Sequence, residues 1–132
     1  EREALQRIEE IYRSTRFSTP RPDELPERAE TDLATAKRAV EHLVETHRLV
    51  PLAENVLVHR EAIETAEALI REQIAEKGEL ISAEFRDRLG TTRKFIIPLL
   101  DHFDRIGLTI REGSSRVLRQ HVTSSRKSGG TS

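Results

Sequence analysis

The chain has 132 residues, 36% hydrophobic but only 4% aromatic, with 22 Lys/Arg against 23 Asp/Glu and no cysteine. Its cores must therefore be built from Leu, Ile, Val and Ala; one domain or two small ones fit the length, and disulfides and cysteine-held metals are excluded. No apolar run approaches ~18 residues, so no membrane span is expected; the absence of a starting Met and of a secretory pattern suggests an excised fragment, and the absence of cysteine fits a cytoplasmic protein.

In chain order, Ala4, Leu5, Ile8, Ile11 and Tyr12 recur at helical spacing and predict a first helix, which fades into a turn-rich stretch from Ser14 to Pro22. Asp23, Glu24 and Leu25 suggest a short turn before Pro26. A second long helix is expected from about Thr31 to Thr46, capped by Thr31 or Asp32, with Leu33, Ala36, Val40, Leu43 and Val44 on one face. Leu49 to Leu52 and Val56 to Val58, joined through Ala53, Glu54 and Asn55, predict a hairpin. Helix, turn, helix and hairpin together make a winged-helix unit.

The pattern then repeats. Ile63, Ala66, Leu69, Ile70 and Ile74 predict a helix ending at Gly78. A short helix follows from about Ser82, its expected cap, with Phe85 and Leu89 turned inward. The next spans about Thr92 to Ile106, and Leu108–Arg111 with Arg116–Arg119 form a second hairpin, the wing. An offset of 59 residues aligns Leu33 with Thr92, Ala36 with Phe95, Val40 with Leu99 and Leu49 with Leu108. The expected fold is mainly α with small β-hairpins: two tandem winged helix-turn-helix domains over residues 1–60 and 61–120, with a disordered tail over 121–132. Pro98 fits poorly inside the third helix of the second unit, where a kink near Lys94 or a later helix start is expected.

The charge is unevenly spread. Residues 61–104 hold 10 acidic and 6 basic side chains, whereas residues 105–132 hold 6 basic and 1 acidic, and residues 1–60 sum to -2. Such a basic end on a near-neutral chain implies a small footprint on an anionic partner. The most informative run is Phe85-Arg86-Asp87-Arg88-Leu89-Gly90-Thr91-Thr92-Arg93-Lys94-Phe95. Gly90 can end one helix in a left-handed conformation, and Thr91 or Thr92 can cap the next, which puts Arg93 and Lys94 in its exposed first turn. Cations are unfavourable beside the positive end of a helix dipole, so the pair points to an external anion such as nucleic-acid phosphate.

Enzymatic chemistry finds no support. His42, His47, His59, His102 and His121 lack metal-ligand spacing, and His42 and His102 are expected to sit half-buried beside apolar faces. No phosphate-binding glycine loop or strained serine turn is present. Glu9 and Glu10 are expected to pair with Arg13, and Asp101 and Asp104 with Arg105, as solvated helix charges. No catalytic residue, metal or cofactor is expected in this fragment.

The run Phe85–Phe95, continued by Pro98 to Thr109, then Arg111-Glu112-Gly113 and Arg116-Val117-Leu118, resembles the last winged helix of the bacterial selenocysteine-specific translation elongation factors, the SelB family. The close likeness covers about 35 residues from Phe85 to Arg119, and Pro98 too is familiar at that place in the family. The resemblance implies a domain that holds the selenocysteine insertion (SECIS) hairpin of messenger RNA, reading its loop and an extruded base. It implies RNA contacts from Thr91, Thr92, Arg93 and Lys94 at the helix start and from Arg111 and Arg116 on the wing. The family's GTP and selenocysteyl-tRNA belong to upstream domains absent here, and the first unit is read as a spacer that could face the ribosome or the other domains. Two alternatives stay open on the residues alone: a winged-helix DNA-binding transcription regulator and a protein-interaction scaffold.

Overall fold

A computed structural model describes residues 2–119; the tail expected from 121 lies outside them. The chain divides into two compact units, Glu1–Thr65 and Ala66–Ser132.

The first unit opens with α1 (Arg2–Thr15), whose Ala4, Ile8 and Tyr12 are buried one helical turn apart. A single 3-10 turn, Pro22–Glu24, leads into the short α2 (Leu25–Arg28), and then α3 runs over Leu33–Glu45. Asp32 starts α3: its carboxylate accepts the Thr35 amide at 2.7 Å, satisfying one of the orphan donors of the first turn. Ile8, Tyr12, Leu25, Ala36, Leu43, Leu49 and Leu57 close one core. The antiparallel hairpin pairs β1 (Leu49–Ala53) with β2 (Val56–His59), and a bulge between Pro51 and Ala53 leaves Leu52 as an extra residue on β1.

One polar pair lies within this apolar unit. His59, 1% exposed, bonds through Nε2 to Glu9 at 2.8 Å, while Arg48 and Arg13 each reach the same carboxylate at 3.2 Å. Burial pushes the Glu9 carboxyl up, but the His59 hydrogen bond and the two guanidiniums outweigh it and hold the group below its ordinary value. Arg13 also bonds Glu10 at 3.1 Å, as its spacing predicts.

α4 (Arg60–Lys77) continues directly from β2, and the division between the units falls within it. In the second unit come α5 (Ser82–Leu89), α6 (Arg93–Arg105), β3 (Thr109–Glu112) and β4 (Ser115–Leu118). Its core gathers Ala66, Ile70, Leu80, Phe85, Ile96, Leu99, Leu100 and Phe103, all under 3% exposed. Each unit is a winged helix: three-helix packing followed by a two-stranded wing.

Three expectations are corrected. Ser82 is the first residue of α5 rather than its cap; Ile81 takes the cap position and no side chain serves it. α6 begins at Arg93 and runs through Pro98 without interruption, so the later helix start is ruled out. The repeat offset is 60, not 59, across the helix and first strand, for Leu33–Glu45 falls on Arg93–Arg105 and Leu49 on Thr109. It drops to 59 only beyond the Leu52 bulge, where His59 falls on Leu118.

Candidate nucleic-acid interface

The helix-turn-helix of the second unit is set by backbone geometry at Gly90. Its left-handed φ of 68° lets its own amide reach the Asp87 carbonyl at 3.1 Å and the Thr91 amide reach the Arg86 carbonyl at 3.1 Å. These two bonds end α5 and turn the chain. Thr92 then takes an extended conformation, and its carbonyl accepts the Phe95 and Ile96 amides that begin α6.

Thr92 holds the cap position of α6, yet its side chain makes no capping hydrogen bond. The cap expected from the Thr92 hydroxyl is therefore absent, and the first-turn amides of Arg93 and Lys94 remain open to an outside acceptor. Both of these side chains are exposed, and among the described residues neither has a carboxylate partner. Lys94 places its Nζ 5.7 Å from the Phe95 ring centroid, a cation–π approach that steadies the ammonium without neutralising it. Among the described residues, two cations thus stand uncompensated at the positive end of a helix.

On the wing, Arg111 is exposed on β3 and is likewise without a carboxylate partner among the described residues. Arg116 differs, and the expectation that it offers a free cation is overturned. It is 6% exposed, and its Nε and Nη2 donate to the Asp104 carboxylate at 3.1 and 3.0 Å, with Asp101 reached at 3.4 Å. Asp104 also accepts the Thr109 hydroxyl at 2.6 Å. Asp101 and Asp104 therefore bind the wing rather than Arg105, because a planar guanidinium buried beside them satisfies two acceptor oxygens at once.

Near the other end of α6, burial and then the charge of Arg105 hold the His102 imidazole below its ordinary value, so it adds no cation at neutral pH. His42, its counterpart on α3, is exposed, against the expectation of a half-buried ring. The pair of buried His59 with half-buried Glu9 and the Asp104–Arg116 link are among the polar features that spacing along the chain did not disclose. No helix among the described residues is long and apolar enough to cross a membrane, and no cluster of potential metal ligands occurs among them.

The first unit carries different chemistry at the matching positions. Leu33, 53% exposed, and Ala34 stand where Arg93 and Lys94 stand, and Pro51 stands where Arg111 does. Among the described residues, only the second unit places two cations on the first turn of this helix.

Comparison with known proteins finds its family match within the second unit. Residues 72–118 match the family described as "Elongation factor SelB, winged helix". The selenocysteine-specific elongation factor of Escherichia coli (strain K12) is 49% identical over 51 residues, 39% of this chain and 8% of that protein. That of Haemophilus influenzae is 32% identical over 71 residues, 54% of this chain and 12% of that protein. The chain thus spans only a small part of the length of these relatives. Among solved structures, the mRNA-binding domain of E. coli elongation factor SelB in complex with SECIS RNA is similar at a TM-score of 0.71 and 27% identity, over 89% of this chain and 98% of that one. The crystal structure of a bacterial selenocysteine-specific elongation factor, at 22% identity over 88% of this chain and 18% of that one, shares the fold at a TM-score of 0.71. Residues 72–118, which lie in the second unit of this chain, thus match a winged-helix domain of the elongation factor SelB family.

Proposed function

We propose that the second unit binds a selenocysteine insertion hairpin in messenger RNA and so directs selenocysteine incorporation during translation. The observation that carries this reading is the exposed, uncompensated Arg93–Lys94 pair on the open first turn of α6. A-form RNA has a major groove too deep and narrow for a helix to enter, so a helix tip meets phosphates and splayed loop bases instead. Arg93 and Lys94 supply the charge, the open amides and the Thr92 hydroxyl supply neutral donors, and Thr91, half-buried at the turn, positions them. Arg111 adds a contact from the wing. The similar E. coli domain, solved with SECIS RNA, supports the choice of ligand.

The remaining parts of the reading rest on family likeness. The first unit, residues 1–60 with the start of α4, serves as a spacer whose open surface faces the ribosome or neighbouring domains. GTP hydrolysis and selenocysteyl-tRNA binding belong to the longer protein in the cytoplasm, and this part works without a cofactor.

A gel shift tests the assignment. The chain is titrated with a selenocysteine insertion hairpin, an unrelated hairpin of equal length and a DNA duplex at one salt concentration. Preference for the first is expected. Equal binding to the duplex would favour a DNA-binding regulator instead.

A further inference from the structure

Arg116 stands at the junction of three elements. Its backbone pairs with Leu80, just ahead of α5, through amide-to-carbonyl bonds of 2.9 and 3.0 Å, while its guanidinium holds Asp104 on α6. Its direct cross-strand partner is Arg111, the exposed cation of the wing. Directly opposed side chains share one face of a hairpin, and two like charges there repel unless one is neutralised. Asp104 neutralises the buried one.

The first unit shows that the fold does not require this arrangement. At the positions of Asp104, Thr109 and Arg116 it carries Val44, Leu49 and Leu57, which pack with its apolar core. Buried ion pairs are often no more stabilising than apolar side chains of similar volume. What they supply instead is direction: bonds from a planar guanidinium fix orientation in a way that sliding apolar contacts do not. The charged version occurs in the unit whose wing displays an arginine, and the apolar version where the wing displays Pro51.

We infer that Arg116, locked to Asp104, is a positioning residue that sets the wing so that Arg111 meets the same nucleic acid as Arg93 and Lys94. The inference rests on the hairpin-binding reading above. Arg116 acts through Arg111 and touches no ligand itself.

The test transplants the first unit's solution into the second. The triple variant Asp104→Val, Thr109→Leu, Arg116→Leu is compared with the original chain, each with and without Arg111→Ala and, separately, Arg93→Ala, by titrating a labelled selenocysteine insertion hairpin. In the original chain Arg111→Ala is expected to weaken binding by about threefold or more, and in the triple variant to have no effect, a coupling of the size seen between residues acting as one unit. Arg93→Ala should cost the same in both. Circular dichroism establishes that each variant is folded, and Asp104→Asn gives the same comparison should the triple variant not fold. If the losses from Arg111→Ala and the triple change simply multiply, Arg116 has no positioning role. If Arg93→Ala costs nothing in either background, the hairpin reading itself fails and the inference falls with it.

Discussion

Asp32 and Thr92 occupy the same cap position 60 residues apart, yet only Asp32 uses its side chain to cap, accepting the Thr35 amide at 2.7 Å. One unit caps this helix with the side chain at its cap position, and the other does not. Replacing Asp32 by Ala should cost about 1 kcal/mol of stability, whereas Thr92→Ala should cost less than about 0.5 kcal/mol. Thr92→Asp should raise the melting temperature and weaken hairpin binding, because the added carboxylate caps the helix and repels phosphate. Thermal unfolding and RNA titration on the same variant check both halves; tighter RNA binding by Thr92→Asp would contradict the assignment of this turn.

Arg93→Ala or Lys94→Ala is expected to weaken hairpin binding by roughly 1–3 kcal/mol and lower the salt dependence of binding by about one counterion. Lys37→Ala on the first unit's α3 should leave affinity within about twofold, a change of about 0.4 kcal/mol. Fluorescence titration at several salt concentrations separates the two sites, and an equal loss at Lys37 would show that the first unit shares the ligand.

Four helix ends share one hydrogen-bond pattern, closed by Gly90 and Gly107 in the second unit but by Glu30 and His47, at φ 56° and 63°, in the first. Residues with a Cβ are strained in this left-handed region, so Glu30→Gly and His47→Gly should each stabilise the first unit by about 0.5–1 kcal/mol. Denaturant melts check this. Destabilisation by either change would mean that contacts of the present side chain outweigh the backbone strain.

Because the Glu9 carboxyl is held below its ordinary value of 4.5, its contribution to stability is present above that value and disappears as pH falls through the lower folded value. The melting temperature of the unaltered chain should therefore decline more steeply below pH 4.5 than that of Glu9→Gln, which lacks the ionisation. Parallel curves from pH 7 to 3 would show that the His59–Glu9 pair makes no such contribution.

Most of the architecture was legible from spacing alone. The apolar period of α1, α3, α4 and α6, the glycines at 78, 90 and 107, and the hairpin turns are local signals, each written within one element. The same locality explains the correct placement of Arg93 and Lys94 on an exposed first turn. The inward turn of Arg116 is hidden from the sequence because its environment depends on β4 register and on carboxylates 12 and 15 positions away, and no local pattern distinguishes an inward from an outward arginine on a four-residue strand. The Glu9–His59 pair is separated by 50 residues and is hidden for the same reason. The left-handed Arg16, Glu30 and His47 escaped because glycine is the signal usually sought at such ends.

The two hairpins differ by one residue, Leu52, yet both close on the same bond: the Arg60 amide to the Arg48 carbonyl and the Arg119 amide to the Leu108 carbonyl, each 2.8 Å. Length variation between those anchors is absorbed at the bulge without disturbing the strand exits. The extra residue is thus taken up between two fixed exits, and the joins from each hairpin to its neighbouring segments stay the same.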